Sequence, residues 1–148
     1  MAAGDDGGLY AAGSTASRQF PATPGACTTG VRSDSGTLSN RYSAPPGGHF
    51  LMKFPPGETA PAFAALIGAG RQTIPTTLLV DSRGRLTVSE PTLAEALPLR
   101  RPLAGSPLPS GCNGVVLQLS PDARDLIVST YTGSIAAPGL APGPDGSL

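Results

Sequence analysis

The side chains that could take part in chemistry are few in this 148-residue sequence and stand far apart. His49 is the only histidine, and it opens a short apolar segment. A histidine at the end of a strand is more often solvated or hydrogen-bonded than a general base. Residues 33–36 (SDSG) match the nucleophile segment of trypsin-like proteases in three residues only, which chance supplies in a serine-rich stretch. We therefore predict no catalytic residue, and a His49, Asp34 and Ser35 triad is the alternative left open.

Acidic residues form two short groups, Asp5-Asp6 and Asp122 with Asp125. Neither group alternates acid and amide side chains as a calcium loop does, so we interpret them as turn residues that accept backbone hydrogen bonds. Arg100-Arg101 is interpreted as a solvated pair of charges, with a small anion site as the alternative. The chain has 2 cysteines, which cannot by themselves complete a zinc site. The sequence predicts no metal and no cofactor.

The composition indicates the elements that must carry these residues. Gly and Pro number 20 and 17, which excludes a long helical bundle. Charged residues are 14% of the chain, and 10 Lys+Arg balance 10 Asp+Glu, so no basic surface is available for nucleic acid or an anionic membrane. A hydrophobic content of 39% argues against a solvated coil. These values favour a loop-rich, all-β protein with a thin core.

Targeting signals are not visible in the sequence. Residues 1–13 have no positively charged start and no continuous apolar segment, so no signal peptide is recognised. The longest nearly apolar run, residues 60–70, is far shorter than the roughly 20 residues that a membrane-spanning helix needs. We expect no membrane span.

Two parts of the chain repeat each other, which predicts two similar structural units. Residues 7–12 align with residues 84–89 at an offset of 77, and the same offset carries Phe20-Pro21 onto Leu97-Pro98. The later blocks align at an offset of 65, namely residues 50–56 with 115–121 and residues 62–68 with 127–133.

Within each unit the apolar segments are short and bounded by Gly, Pro, Ser and Asp, which is typical of strands. A tight turn is predicted at residues 82–84, where Gly84 takes a positive φ. Residues 92–95 form a capping-box pattern that supports a single helical turn. The predicted strands cover residues 9–13, 49–54 and 61–67 in the first unit, after an opening strand reduced to residues 1–4, and residues 76–81, 85–89, 114–119 and 125–132 in the second.

Motifs that point to a family occur in residues 79–88 (LVDSRGRLTV), 20–26 (FPATPGA) and 127–133 (IVSTYTG). With residues 114–121 (GVVLQLSP) they resemble the bacterial β-propeller repeat known as the SBBP repeat, and the resemblance covers nearly the whole chain. One departure is His49, which stands where the family has an acidic residue at the start of the third strand. The resemblance implies four-stranded antiparallel meanders, the blades of a β-propeller, of which about two are present.

The resemblance also implies a division of the chain. It gives a first blade at residues 1–70 with a long connection at 14–48, a second blade at 71–134, and the start of a third repeat at 135–148. Since closed propellers have about four to eight blades, an incomplete propeller of two blades favours a fragment of a longer chain. Self-assembly of several chains and a poorly folding remnant are the alternatives.

The function implied by the resemblance is that of a non-catalytic structural or binding module in a bacterial surface or secreted protein. The polar connections between second and third strands are expected to contact a protein or carbohydrate ligand. The alternative is a propeller-scaffold enzyme, a lactonase-like or lyase-like hydrolase, whose active site needs side chains from additional blades. Export would permit a disulfide between Cys27 and Cys112, which lie in corresponding connections, while two unpaired thiols are the other outcome.

Overall fold

The described residues of the protein form two antiparallel four-stranded sheets. The structure is a computed structural model that describes residues 1–15, 17, 19–27, 48–67, 77–92, 99–103, 113–132, 140–141 and 143, and these ranges contain no helix. The predicted all-β class is confirmed. In both sheets each strand pairs with its neighbour in the chain. The first sheet contains β1 (Ala2–Ala3), β2 (Leu9–Thr15), β3 (Gly48–Phe54) and β4 (Phe63–Ile67), and the second contains β5 (Thr77–Val80), β6 (Leu86–Thr92), β7 (Asn113–Leu119) and β8 (Leu126–Tyr131).

The first turn of each sheet has the same geometry. Gly84 has a φ of 74° and its N–H donates to the Asp81 carbonyl at 2.8 Å, which confirms the turn predicted from the sequence. Gly7, 77 residues earlier, also has a φ of 74°, and its N–H donates to the Gly4 carbonyl at 2.9 Å. Glycine suits both positions because a side chain disfavours this left-handed conformation.

The strand registers relate the two sheets residue by residue. Leu9 pairs with Phe54 in the first sheet, and Leu86 pairs with Leu119 in the second. The offsets between these pairs are 77 on β2 and β6 and 65 on β3 and β7, the offsets found in the sequence. The outer pairs follow the same relation, because Phe50 faces Leu66 in the first sheet and Val115 faces Tyr131 in the second.

The two sheets pack with unlike faces together. In the first sheet, we call the face with the Tyr10 side chain the front and the face with the Leu9 side chain the back. In the second sheet, the front and the back are the faces that contain the equivalent residues, 77 positions later in the chain. The core joins the front of the first sheet to the back of the second, since side chains of successive residues point to opposite faces of a strand. From the first sheet it contains Tyr10, Leu51, Phe63, Ala65 and Ile67, and from the second Leu86, Val88, Val115, Leu117, Leu119 and Tyr131.

Strand pairing extends two elements beyond their predicted ends. β2 continues to Thr15 and not only to Gly13, because Ser14 and Thr15 pair with the start of β3. β6 continues to Thr92, which pairs with Asn113, so the strand placement of Thr92 replaces the predicted helical turn there. A capping pattern is a local preference, and the ladder with β7 outweighs it. The rest of that predicted turn, residues 93–95, lies outside the described residues.

Candidate functional site

An ion pair is buried where the two sheets meet. His49 lies on the front of the first sheet in β3, opposite Ile67 of β4. Glu90 lies on the back of the second sheet in β6, opposite Val115 of β7. The His49 Nδ1 atom contacts the Glu90 Oε2 atom, and each side chain is 2% exposed. His49 is thus not a solvated residue at a strand end, because sheet packing places it in the core.

The burial of both groups decides what this pair can do. An ionisable side chain in an apolar core is costly unless it has a polar partner, and each residue supplies such a partner for the other. A general acid or base must reach a substrate, whereas both side chains of this pair are almost fully buried. The arrangement therefore holds the two sheets in one relative position and offers no open catalytic surface.

Glu90 was not recognised as a site residue from the sequence. Its strand does contain a signal, because Leu86, Val88 and Glu90 alternate on one face of β6. Two buried apolar residues followed at the same spacing by an acid indicate an acid that is directed into the core. Its partner could not be found in this way, since His49 is 41 residues away in the other sheet.

A cleft of about 280 Å³ lies beside the first turns of the two sheets. Within it, Lys53 Nζ is 2.5 Å from Asp6 Oδ2 and 5.1 Å from the centre of the Tyr10 ring. The hydrogen bond from Lys53 lowers the pKa of Asp6, and the same bond raises the pKa of Lys53. Because Asp6 is half exposed, water screens this pair and its contribution to stability is small.

Of the aspartates interpreted as turn residues, Asp6 and Asp122 accept backbone hydrogen bonds as predicted. The Gly8 N–H donates to Asp6 Oδ1 at 3.0 Å, and the Arg124 N–H donates to Asp122 Oδ1 at 3.3 Å. Asp122 also accepts a hydrogen bond from the Ser120 hydroxyl at 2.6 Å, which lowers the pKa of its carboxyl group. In the described part of the chain no three His, Cys, Asp or Glu side chains are grouped so as to hold a metal ion.

Asp81 organises the equivalent turn of the second sheet. Its Oδ1 atom accepts hydrogen bonds from the N–H groups of Arg83 and Arg85 at 2.9 and 2.8 Å, and its Oδ2 atom lies 2.5 Å from Arg85 Nε. Burial raises the pKa of Asp81, but the hydrogen bonds from Arg85 and Arg83 outweigh burial and leave the pKa below its usual value. This carboxylate is therefore a structural acceptor.

The connections after the second strand of each sheet reach equivalent outer positions. The Thr23 N–H donates to the Ala64 carbonyl on β4 at 2.8 Å. Arg100 forms a bridge with Ser129 on β8, at positions displaced by the same offsets of 77 and 65. Residues 99–103 are exposed, including Leu99 at 43% and Leu103 at 63%. This segment presents two cationic and two apolar side chains to solvent.

Only some of the remaining residues singled out in the sequence analysis lie in the described part of the chain. Cys27 is half-buried, its N–H donates to the Ala123 carbonyl at 2.6 Å, and burial raises the pKa of its thiol. Cys112 lies outside the described residues, so the disulfide stays a prediction, and residues 33–36 of the protease-like pattern lie outside them as well. Arg100 and Arg101 are both exposed.

Comparison with known proteins gives no match to a family model, to a curated protein or to a solved structure. In the described residues, no helix is long and apolar enough to cross a membrane.

Proposed function

We propose that the chain is a non-catalytic structural and binding module made of two consecutive propeller-type blades, of the kind found in bacterial surface or secreted repeat proteins. One observation carries the proposal: the second sheet repeats the first in register and turn geometry, and the front of one packs on the back of the other. Contact between unlike faces can recur along a series of units, whereas contact between like faces ends after two.

The binding part of this proposal rests on the connections that follow the second strands. The backbones of Thr23 and Arg100 are held at the outer edges of their sheets, while the residues around them remain exposed. Residues 99–103 combine Arg100 and Arg101 with two exposed leucines. A guanidinium beside an apolar side chain suits a ligand with an acidic group and an apolar face, such as an acidic saccharide or an acidic peptide.

Binding of the labelled chain to an array of neutral and acidic glycans and acidic peptides tests this function. The wild type should bind acidic probes, and R101S/L103S should reduce that binding at least tenfold. The matched control is R83S, which removes an exposed arginine from the opposite end of the second sheet. Equal binding by wild type and R101S/L103S contradicts the proposed surface, and turnover of a lactone or ester by the wild type contradicts the non-catalytic assignment.

A further inference from the structure

The positions equivalent to the buried ion pair are occupied by glycine. Gly114 stands on the front of the second sheet where His49 stands on the first, at the offset of 65. Gly13 stands on the back of the first sheet where Glu90 stands on the second, at the offset of 77. The histidine and the glutamate are thus confined to the two faces that pack together within the chain.

Gly13 leaves no room for a side chain. A Cβ atom at this position would lie 2.7 Å from the Cζ atom of Phe50 and 2.8 Å from its Cε1 atom. The Phe50 ring is also stacked on Phe20 with a centroid distance of 5.7 Å. The back of the first sheet therefore cannot carry an acid at the position of Glu90 without moving an aromatic pair.

Six equivalent positions on the two backs are apolar in both sheets. In the second sheet these residues form the core, and in the first sheet they are half-buried or, in Leu9, 47% exposed. Apolar complementarity alone would therefore let the front of the first sheet pack on either back. The equivalent pairs are Leu86 and Leu9, Val88 and Ala11, Val115 and Phe50, Leu117 and Met52, Leu119 and Phe54, and Tyr131 and Leu66.

We propose that the His49–Glu90 pair determines which sheet faces pack together. Packing the front of a first sheet on the back of another copy's first sheet would bury His49 against Gly13 with no carboxylate. Packing the back of a second sheet on another copy's second-sheet front would bury Glu90 against Gly114 with no imidazole. Since a buried ionisable side chain without its partner costs more than one with it, both wrong arrangements are disfavoured. The inference rests on the proposed function, in which similar sheets stack in series, and it specifies which faces of those sheets meet.

The effect of the pair on which faces pack together can be separated from its effect on folding stability, because both residues can be replaced by apolar ones. H49L and E90L each remove one member of the buried pair and leave the other without this contact, and we expect each to lower the unfolding temperature by roughly 10 °C. H49L/E90L removes both polar side chains and should unfold within a few degrees of the wild type. By sedimentation velocity it should form mixed oligomers at concentrations where the wild type forms one species, because its faces no longer discriminate.

The swapped variant H49E/E90H restores an ion pair with reversed positions and should again sediment as one species. The exposed ion pair of Arg124 and Asp122 supplies the control, and R124L should change neither the unfolding temperature nor the sedimentation. A single species for H49L/E90L, identical to the wild type, overturns the inference and leaves the stacked sheets intact. Two independent unfolding transitions in the wild type would instead show that the sheets are not stacked, which contradicts the proposed function itself.

Discussion

Truncation of two equivalent leucines should lower the free energy of unfolding by very different amounts. Leu86 is fully buried in the core on the back of the second sheet, whereas Leu9, its equivalent on the first sheet, is 47% exposed. Leu86→Ala removes a buried side chain and leaves a cavity, for which we expect a loss of about 2–5 kcal/mol in the free energy of unfolding. Leu9→Ala removes a side chain with about half of its surface still in water, so we expect a loss of about 1 kcal/mol.

Urea unfolding followed by far-ultraviolet circular dichroism measures both losses under one set of conditions. The control is Leu99→Ala, because Leu99 is 43% exposed and lies outside both sheets. Its loss should stay within about 0.5 kcal/mol of zero. Equal losses for Leu86→Ala and Leu9→Ala would contradict the packing of unlike faces, since that packing covers one back and leaves the other open.

Three further substitutions test the turns and the closest packing. Asp81→Ala should lower stability at pH 7 by about 1–3 kcal/mol, because two backbone donors and a guanidinium lose a charged acceptor. The pKa of Asp81 is lowered by folding, so its contribution is present above the unfolded value and is lost as the pH falls through the folded one. The stability of the variant should therefore fall less steeply than that of the wild type in urea titrations below pH 4, and parallel profiles contradict this role. Gly84→Ala should cost about 1–2 kcal/mol because of its φ of 74°, and an unchanged thermal midpoint would argue against the turn. Gly13→Ala should cost about 1–3 kcal/mol by displacing the Phe50 ring, and a neutral result in the same assay would show that the ring is free to move.

Much of the local structure could be predicted because it depends on short stretches of sequence. The turn at Gly84, the approximate positions of the strands and the offsets of 77 and 65 are visible without the structure. The packing of unlike faces was not predictable from alternation, because both faces of β2 begin with apolar residues: Leu9 and Ala11 lie on one, Tyr10 and Ala12 on the other. A strand that is apolar on both sides does not indicate which face is covered.

The buried pair was missed for a related reason. His49 opens a strand after a glycine-rich stretch, which favours an exposed position when only neighbouring residues are considered. Its burial results from contact with the second sheet, and such a contact depends on the three-dimensional packing of distant segments. Glu90 illustrates the same limit, since its position on β6 indicates that it points inward but does not identify its partner.

Nuclear Overhauser contacts in a uniformly labelled sample give a direct test of the stacking of unlike faces. We predict contacts between the His49 ring and the Glu90 side chain, together with the cross-strand contacts of the equivalent pairs Met52–Ala64 and Leu117–Ser129. The first contact requires the two sheets to be packed together, and the other two require their registers to be equivalent. Cross-strand contacts in both sheets without any contact between His49 and Glu90 would contradict the account.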